Sequence, residues 1–255
     1  MIKDKIIKWI KDYAIKHNKT TLVVGVSGGI DSAVVSTLCA ETGLKTIPVV
    51  MSIDIIMSIK SRALIALDQI WWLDDKYPNI SRRIINLEKI FHEFVNASKY
   101  LGADSELGFA NSRSRLRMVM LYQIAQSNNG LVIGTGNKVE DFGVGFYTKY
   151  GDGGVDISPI ADLYKSEVYA LGTHLKILGH IMRAPPTDGL WEDGRTDEDQ
   201  LGLTYAQLED AMRLDEMNAI VTNPKKQKIL KRFQELKAAN LHKMVPIPVW
   251  RKDDI

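Results

Sequence analysis

The chain of 255 residues is 45% hydrophobic and 25% charged, enough to bury one large core. Its 33 basic and 31 acidic residues leave a formal charge of +2, a balance that gives no reason to expect nucleic acid or a membrane surface as partner. A single cysteine, Cys39, excludes an internal disulfide and an all-cysteine metal site, and no apolar run approaches the ~18 residues of a membrane span. With Asp4 and interspersed lysines in place of an unbroken apolar start, the N-terminus does not read as a signal peptide. A cytoplasmic location is the expectation.

Residues 2–17 carry Ile2, Ile6, Ile7, Trp9, Ile10 and Tyr13 at helical spacing, which predicts an amphipathic helix. A β-branched strand over 21–26 runs into Ser27-Gly28-Gly29, and a helix is expected to open at about Ile30, with Cys39 beside Val34, Val35 and Leu38 as a buried thiol. Residues 46–52 read as a second strand, with Pro48 placed near its beginning. Helix is expected over 58–73, ending in Trp71-Trp72, two indoles that suit either core or a subunit interface. A short strand over 84–87 and a helix over 87–100 follow. A long helix over 111–126 precedes a buried strand, 131–133, closed by Gly134. Residues 163–178 are read as a helix stopped by Gly179, 205–217 and 224–239 as helices, and the end as an apolar, proline-broken tail. Strands alternating with helices predict an α/β fold, a doubly wound, mostly parallel sheet with helices on both faces and its ligand at the strand C-termini.

Four strings carry chemistry. In Gly25-Val-Ser-Gly-Gly-Ile-Asp-Ser32 two glycines let the backbone turn tightly and bare its N–H groups, while the following helix adds a positive dipole end. That is a phosphate cradle, or else a strand-to-helix turn capped by Asp31 and Ser32. Asp31 repels an anion unless Mg²⁺, which takes one or two carboxylates plus substrate phosphates, bridges the two. The string lacks the lysine of a Walker loop and the Gly-x-Gly-x-x-Gly spacing of a dinucleotide fingerprint. Asn111-Ser-Arg-Ser-Arg-Leu-Arg117 sets three arginines just inside the expected helix start, where they oppose the dipole unless an anion lies nearby. Gly134-Thr-Gly-Asn-Lys-Val-Glu140 leaves a strand end with Thr135 and a second carboxylate, Glu140, that suits the same Mg²⁺. Phe146 to Asp156 is glycine-dense and reads as a shaped loop. Lys165 opens the next helix, where an acid is the ordinary choice.

The first string resembles the pyrophosphate loop of the ATP pyrophosphatases. With NSRSRLRM-x3-Y, GTGNKVE, FYTKYGDGGVDISPIADLYK, APPTDGLWEDGRTDEDQLGLTY and HKMVP in the same order from residue 25 to 246, the chain is similar to the ammonia-dependent NAD synthetases. The family usually carries Ala where Ser114 stands, and the stretch around Ile53 to Ile59 is more apolar than a nucleotide's sugar-phosphate side suggests. The resemblance implies an adenine-nucleotide alpha-hydrolase-like fold, with residues 1–255 as a single synthetase domain and no glutaminase domain. It implies a ligase that converts deamido-NAD to NAD with ATP and ammonia through an adenylated intermediate, with Mg²⁺ as cofactor and a homodimer as the assembly. By the same resemblance Gly25, Val26, Ser27, Gly28, Gly29, Ile30, Asp31, Ser32, Thr135, Lys165 and Thr187 bind ATP, and Asp31 and Glu140 hold the metal. Arg115, Lys149, Asp156, His242 and Lys243 hold deamido-NAD. Asp31, Lys165 and Asp152 are the catalytic set, with Asp152 near the reacting carboxyl. The acidic segment 188–200 is expected to fold over ATP as a lid. A tRNA-modifying or GMP-synthetase-like acceptor and a nucleotide-sensing subunit are the rival readings. The first lacks a basic surface, and the second has no use for Asp31, Glu140 and Lys165.

Overall fold

The computed structural model describes residues 2–53, 57–187, 190–191 and 194–252, and of 57–62 only the backbone. In chain order its helices are α1 (Ile2–Lys16), α2 (Ile30–Glu41), α3 (Met57–Lys76), α4 (Glu88–Tyr100), α5 (Glu106–Ser127), α6 (Lys165–His174), α7 (Gly179–Arg183), α8 (Asp197–Leu201), α9 (Tyr205–Glu216) and α10 (Pro224–Met244). A π-helical turn spans Val139–Val144. The strands β1 (Thr21–Gly25), β2 (Lys45–Ser52), β3 (Arg83–Asn86) and β4 (Gly130–Ile133) pair in parallel in the order β3-β2-β1-β4. The winding runs outward from β1 to β3, then returns to β4 on the other side of β1. The reversal lies between the C-terminal ends of β1 and β4, where such sheets open a crevice for ligands. A bridge between Ile133 and Ile157 carries the sheet past β4.

Alternation along the strands decides the two faces. Leu22, Val24, Leu131 and Ile133 join the buried residues of α1, α2 and α6, while Val23, Ile47, Val49 and Val132 pack on Ala125, Leu121 and Tyr122 of α5. Helix α2 is buried almost all round, from Ile30 to Ala40, as a helix between a sheet and other helices must be. Cys39 is fully buried within it, and burial pushes its thiol pKa up. A separate apolar cluster unites the π-helical turn with α9 and α10 through Val139, Val144, Tyr205, Leu208, Met212 and Phe233. Each fully buried Leu, Val or Phe contributes ~1.5–3 kcal/mol.

The expected elements are present with four shifts. Pro48 sits in the middle of β2, opposite Val24 of β1, rather than near its beginning. Thr46, two residues earlier, directs its N–H and C=O to Asn79 and Ser81 on the β3 side, so the donor Pro48 lacks would face that side too. There the ladder has not begun, since β3 pairs with β2 only from Val49 onward. Helix α5 opens at Glu106, capped by Ser105 accepting from Gly108 N–H, so the three arginines lie in later turns, away from the dipole end. Helix α6 stops at His174, because Lys176 turns left-handed at φ 59° and Ile177 N–H closes back on Gly172 O; Gly179 begins α7 rather than ending α6. Helix α10 runs on to Met244, so His242 and Lys243 form its last turn.

Candidate active site

A cavity of about 720 Å³ opens at the point where the winding reverses. One wall is the loop after β1. Gly28 takes φ 87°, the left-handed region where a side chain is strained. Ser27 N–H donates to Ser32 Oγ, Gly29 N–H donates to Ser27 Oγ, and Ser32 Oγ donates to Gly29 O. The loop is thus shaped by its own serines, and Gly29 caps α2 with no side-chain bond. Gly25, Val26, Ser27, Gly29, Ile30, Asp31 and Ser32 line the cavity, as do Thr135, Glu140, Lys165 and Thr187. Gly28, behind them, does not.

Three residues far apart in the chain meet on this wall. Lys165 Nζ lies 2.5 Å from Asp31 Oδ2 and 3.2 Å from Glu140 Oε1. The Lys165 side chain is 4% exposed. Burial alone would lower its pKa, but the Asp31 and Glu140 carboxylates outweigh it and hold the ammonium above its ordinary range. Burial raises the Glu140 pKa, against the pull of Lys165 and with the push of Asp31. Asn137 ties the Asp31 carboxylate to the backbone of the turn that carries Glu140. Its Nδ2 donates to Asp31 Oδ1, and its Oδ1 accepts from the N–H groups of Val139 and Glu140. The Tyr205 hydroxyl is 2.5 Å from Glu140 Oε1 and 3.1 Å from Asp197 Oδ2, and its ring lies under the Lys165 ammonium. Two carboxylates that converge on one cation at a cavity wall are a hard-oxygen donor pair of the kind Mg²⁺ takes alongside substrate phosphates.

Asp141, next to Glu140, turns toward the loop after β4. A β-carbon on Gly136 would stand 2.2 Å from its Oδ1, so a larger residue there would push the carboxylate aside. Burial, then the negative Glu140, Asp152 and Asp31, push the Asp141 carboxyl up to about 8. Across the cavity Asp152 Oδ1 accepts from Ser114 Oγ at 2.8 Å and from Thr148 N–H at 2.9 Å. Lys243 also lines the cavity, and its Nζ donates to Tyr147 O. Burial lowers its pKa while Asp152 opposes that shift.

Arg115, Lys149, Asp156 and His242 lie off the cavity wall. Arg115 Nε donates to Lys149 O, Lys149 Nζ donates to His242 O, and Asp156 accepts from Val132 N–H and Tyr122 O–H. It is Arg117 whose side chain lines the cavity. Of the acidic segment 188–200, Asp188, Gly189, Glu192 and Asp193 lie outside the described residues. Leu190, Trp191, Asp197 and Gln200 line the cavity, with Trp191 Nε1 bonded to Gln200 Oε1. Sequence reasoning missed Asn137, Asp141, Tyr205 and Asp197 as site residues. Asn137, Tyr205 and Asp197 stand inside strings it had singled out and Asp141 just after one, but an Asn, an Asp or a Tyr there is chemically unremarkable until the fold brings it to the cavity.

The family model described as NAD synthase matches residues 2–246. An NH(3)-dependent NAD(+) synthetase of Alkaliphilus metalliredigens (strain QYMF) is 36% identical, with 96% of each chain covered. Among solved structures, the NMN synthetase of Francisella tularensis superposes with a TM-score of 0.85 at 33% identity, covering 97% of this chain and 96% of that one. The NH3-dependent NAD synthetase of Campylobacter jejuni subsp. jejuni NCTC 11168, in complex with the nitrate ion, gives 0.78 at 26% identity over 98% of both.

Proposed function

The chain belongs to the NAD synthase family and is a ligase of NAD biosynthesis, and from that premise we propose that it amidates deamido-NAD with ATP and ammonia. A nicotinate carboxylate oxygen attacks the α-phosphorus of ATP, and the bond to pyrophosphate breaks. Ammonia, formed as ammonium gives a proton to water or a base, attacks the acyl carbon; the nitrogen gives a second proton to solvent, the C–O bond breaks and AMP leaves with the electron pair. Such chemistry asks the protein for positioning and charge neutralisation more than for a nucleophile. The observation that carries the reading is the convergence of Asp31, Glu140 and Lys165 beside the Ser27–Ser32 loop at the end of the sheet.

In this reading the amides of the loop and of the α2 N-terminus take the phosphates, with Thr135 and Thr187 beside them. Asp31 and Glu140 hold Mg²⁺, which when bound neutralises phosphate charge. The Lys165 ammonium compensates those two carboxylates and would offset the charge growing on the phosphates. Asp152 faces the nitrogen donor. Purified protein supplied with ATP, Mg²⁺, deamido-NAD and ammonium is expected to form NAD and AMP one for one, and Asp31→Ala to form neither. Folded protein that binds ATP yet yields no pyrophosphate would exclude this acceptor.

A second reading replaces the dinucleotide by nicotinate mononucleotide, which offers the same reacting carboxyl. Two observations favour testing it: the high similarity to a structure described as an NMN synthetase, and the position of Arg115, Lys149, Asp156 and His242 off the cavity wall. Running the two acceptors side by side decides by the ratio of kcat/KM.

A homodimer belongs to the same proposal. Ile84 on the outer strand β3, Ile90 and Phe94 on α4 and Val119 on α5 are large apolar side chains left exposed, as suits a second copy. Trp71 is also exposed, whereas Trp72 packs against the main core.

A further inference from the structure

Asn111, Ser114 and Arg115 stand three and four residues apart, on one face of α5, and all three hold the loop 148–152. Thr148 Oγ1 donates to Asn111 Oδ1 at 2.6 Å, and Arg115 Nε donates to Lys149 O at 3.2 Å. Ser114 bonds Asp152 twice: its Oγ donates to Asp152 Oδ1 at 2.8 Å and accepts from Asp152 N–H at 2.9 Å. The seat is tight. A β-carbon on Gly151 would lie 2.3 Å from Ser114 Oγ, and Tyr150 is held at φ 61°. Ser114 is 6% exposed, and both it and Asp152 line the cavity.

A side-chain hydroxyl that is both donor and acceptor to one residue fixes that residue's backbone and carboxylate together. The Thr148 N–H on the same oxygen sets the carboxylate plane. We infer that Ser114 is a positioning residue for Asp152 and that what the pair orients is the incoming nitrogen nucleophile of the second half-reaction. This rests on the reading that Asp152 faces the nitrogen donor. The arginine-rich string of α5 then acts first as a clasp for a catalytic loop, through Asn111, Ser114 and Arg115.

The two half-reactions separate the possibilities. Deamido-NAD-dependent exchange of pyrophosphate into ATP, without ammonium, reads adenylation; NAD formation against ammonium concentration reads amidation. Ser114→Ala is expected to keep exchange within about twofold of the native enzyme and to lower kcat/KM for ammonium about tenfold or more, the size of a lost bond to a charged group. Ser114→Cys, nearly the same shape with a weaker donor, is expected to fall between, and carries the test if the alanine variant does not fold. In an Asp152→Asn background, Ser114→Ala is expected to add no further loss. An equal loss in both assays, no loss in either, or an additive loss in that background overturns the inference while leaving the reaction standing. A native protein that exchanges with neither deamido-NAD nor the mononucleotide overturns the reaction, and the inference with it.

Discussion

Lys165 holds together charges that the fold would otherwise keep apart. Removing one partner of a buried ion pair leaves the others uncompensated, so Lys165→Ala is expected to lower stability by ~3–5 kcal/mol, read from urea unfolding at pH 7. Millimolar Mg²⁺ should raise the unfolding midpoint of that variant more than that of the native chain, because the Lys165 ammonium no longer competes with the ion for Asp31 and Glu140; equal shifts would count against a metal site there. Asp141 gives a pH dependence with a definite sign. Its carboxyl ionises near 3.8 when unfolded and at about 8 when folded. Between those values the folded chain binds more protons than the unfolded one, so stability falls as pH rises. Asp141→Asn is therefore expected to flatten that slope and to gain about 1–3 kcal/mol at pH 8 after solvent screening, with no gain at pH 4. At this scale Asp31 and Lys165 were legible because each charge is locally out of place, an acid at a glycine loop and a base at a helix start, and Glu140 as a second carboxylate just past a strand end. Tyr205 and Asn137 carry no such signal, since what ties them to the two carboxylates is contact with partners 65 and 106 residues away.

Helix α5 shows how far a boundary error propagates. Read from 111, its arginines sit at a positive dipole end and imply an anion. With Ser105 as the cap they sit turns later, and Arg113 instead covers the ring of Phe91. The signal was present as Ser105-Glu106, but Gly108 in the first turn weakened the helical pattern there. Ser105→Ala is expected to lower the thermal midpoint by the equivalent of ~1 kcal/mol and to leave adenylation and amidation rates unchanged, which thermal denaturation with parallel assays would check. Pro48 teaches the opposite lesson. A proline argues against a central strand, but the objection lapses where the neighbouring strand has not yet begun, a fact of tertiary pairing that periodicity does not carry.

For the whole molecule, the alternation of strand and helix was enough to predict a parallel, doubly wound sheet, and the comparisons with solved NAD synthetases agree with it. The second apolar cluster, of α9, α10 and the π-helical turn, was not legible, because each piece is amphipathic alone and says nothing of its partner. If the exposed apolar residues of β3, α4 and α5 meet a second copy, light scattering should give twice the 28.6 kDa chain mass, and Phe94→Glu should shift it toward the single mass. A native protein that remains a single chain at micromolar concentration would remove the dimer from the proposal.

The ion pair between Lys165 and Asp31 spans 134 residues of chain. Contacts of such separation close late, because the entropy of the intervening loop must be overcome before they return anything. Recovery from denaturant should therefore be staggered. Helices are expected to regain their circular dichroism first, and the proposed nucleotide binding last, once β1 has paired with β4 and α9 and α10 have docked. On the proposed function, catalytic competence is then expected to serve as a clock for the completion of folding.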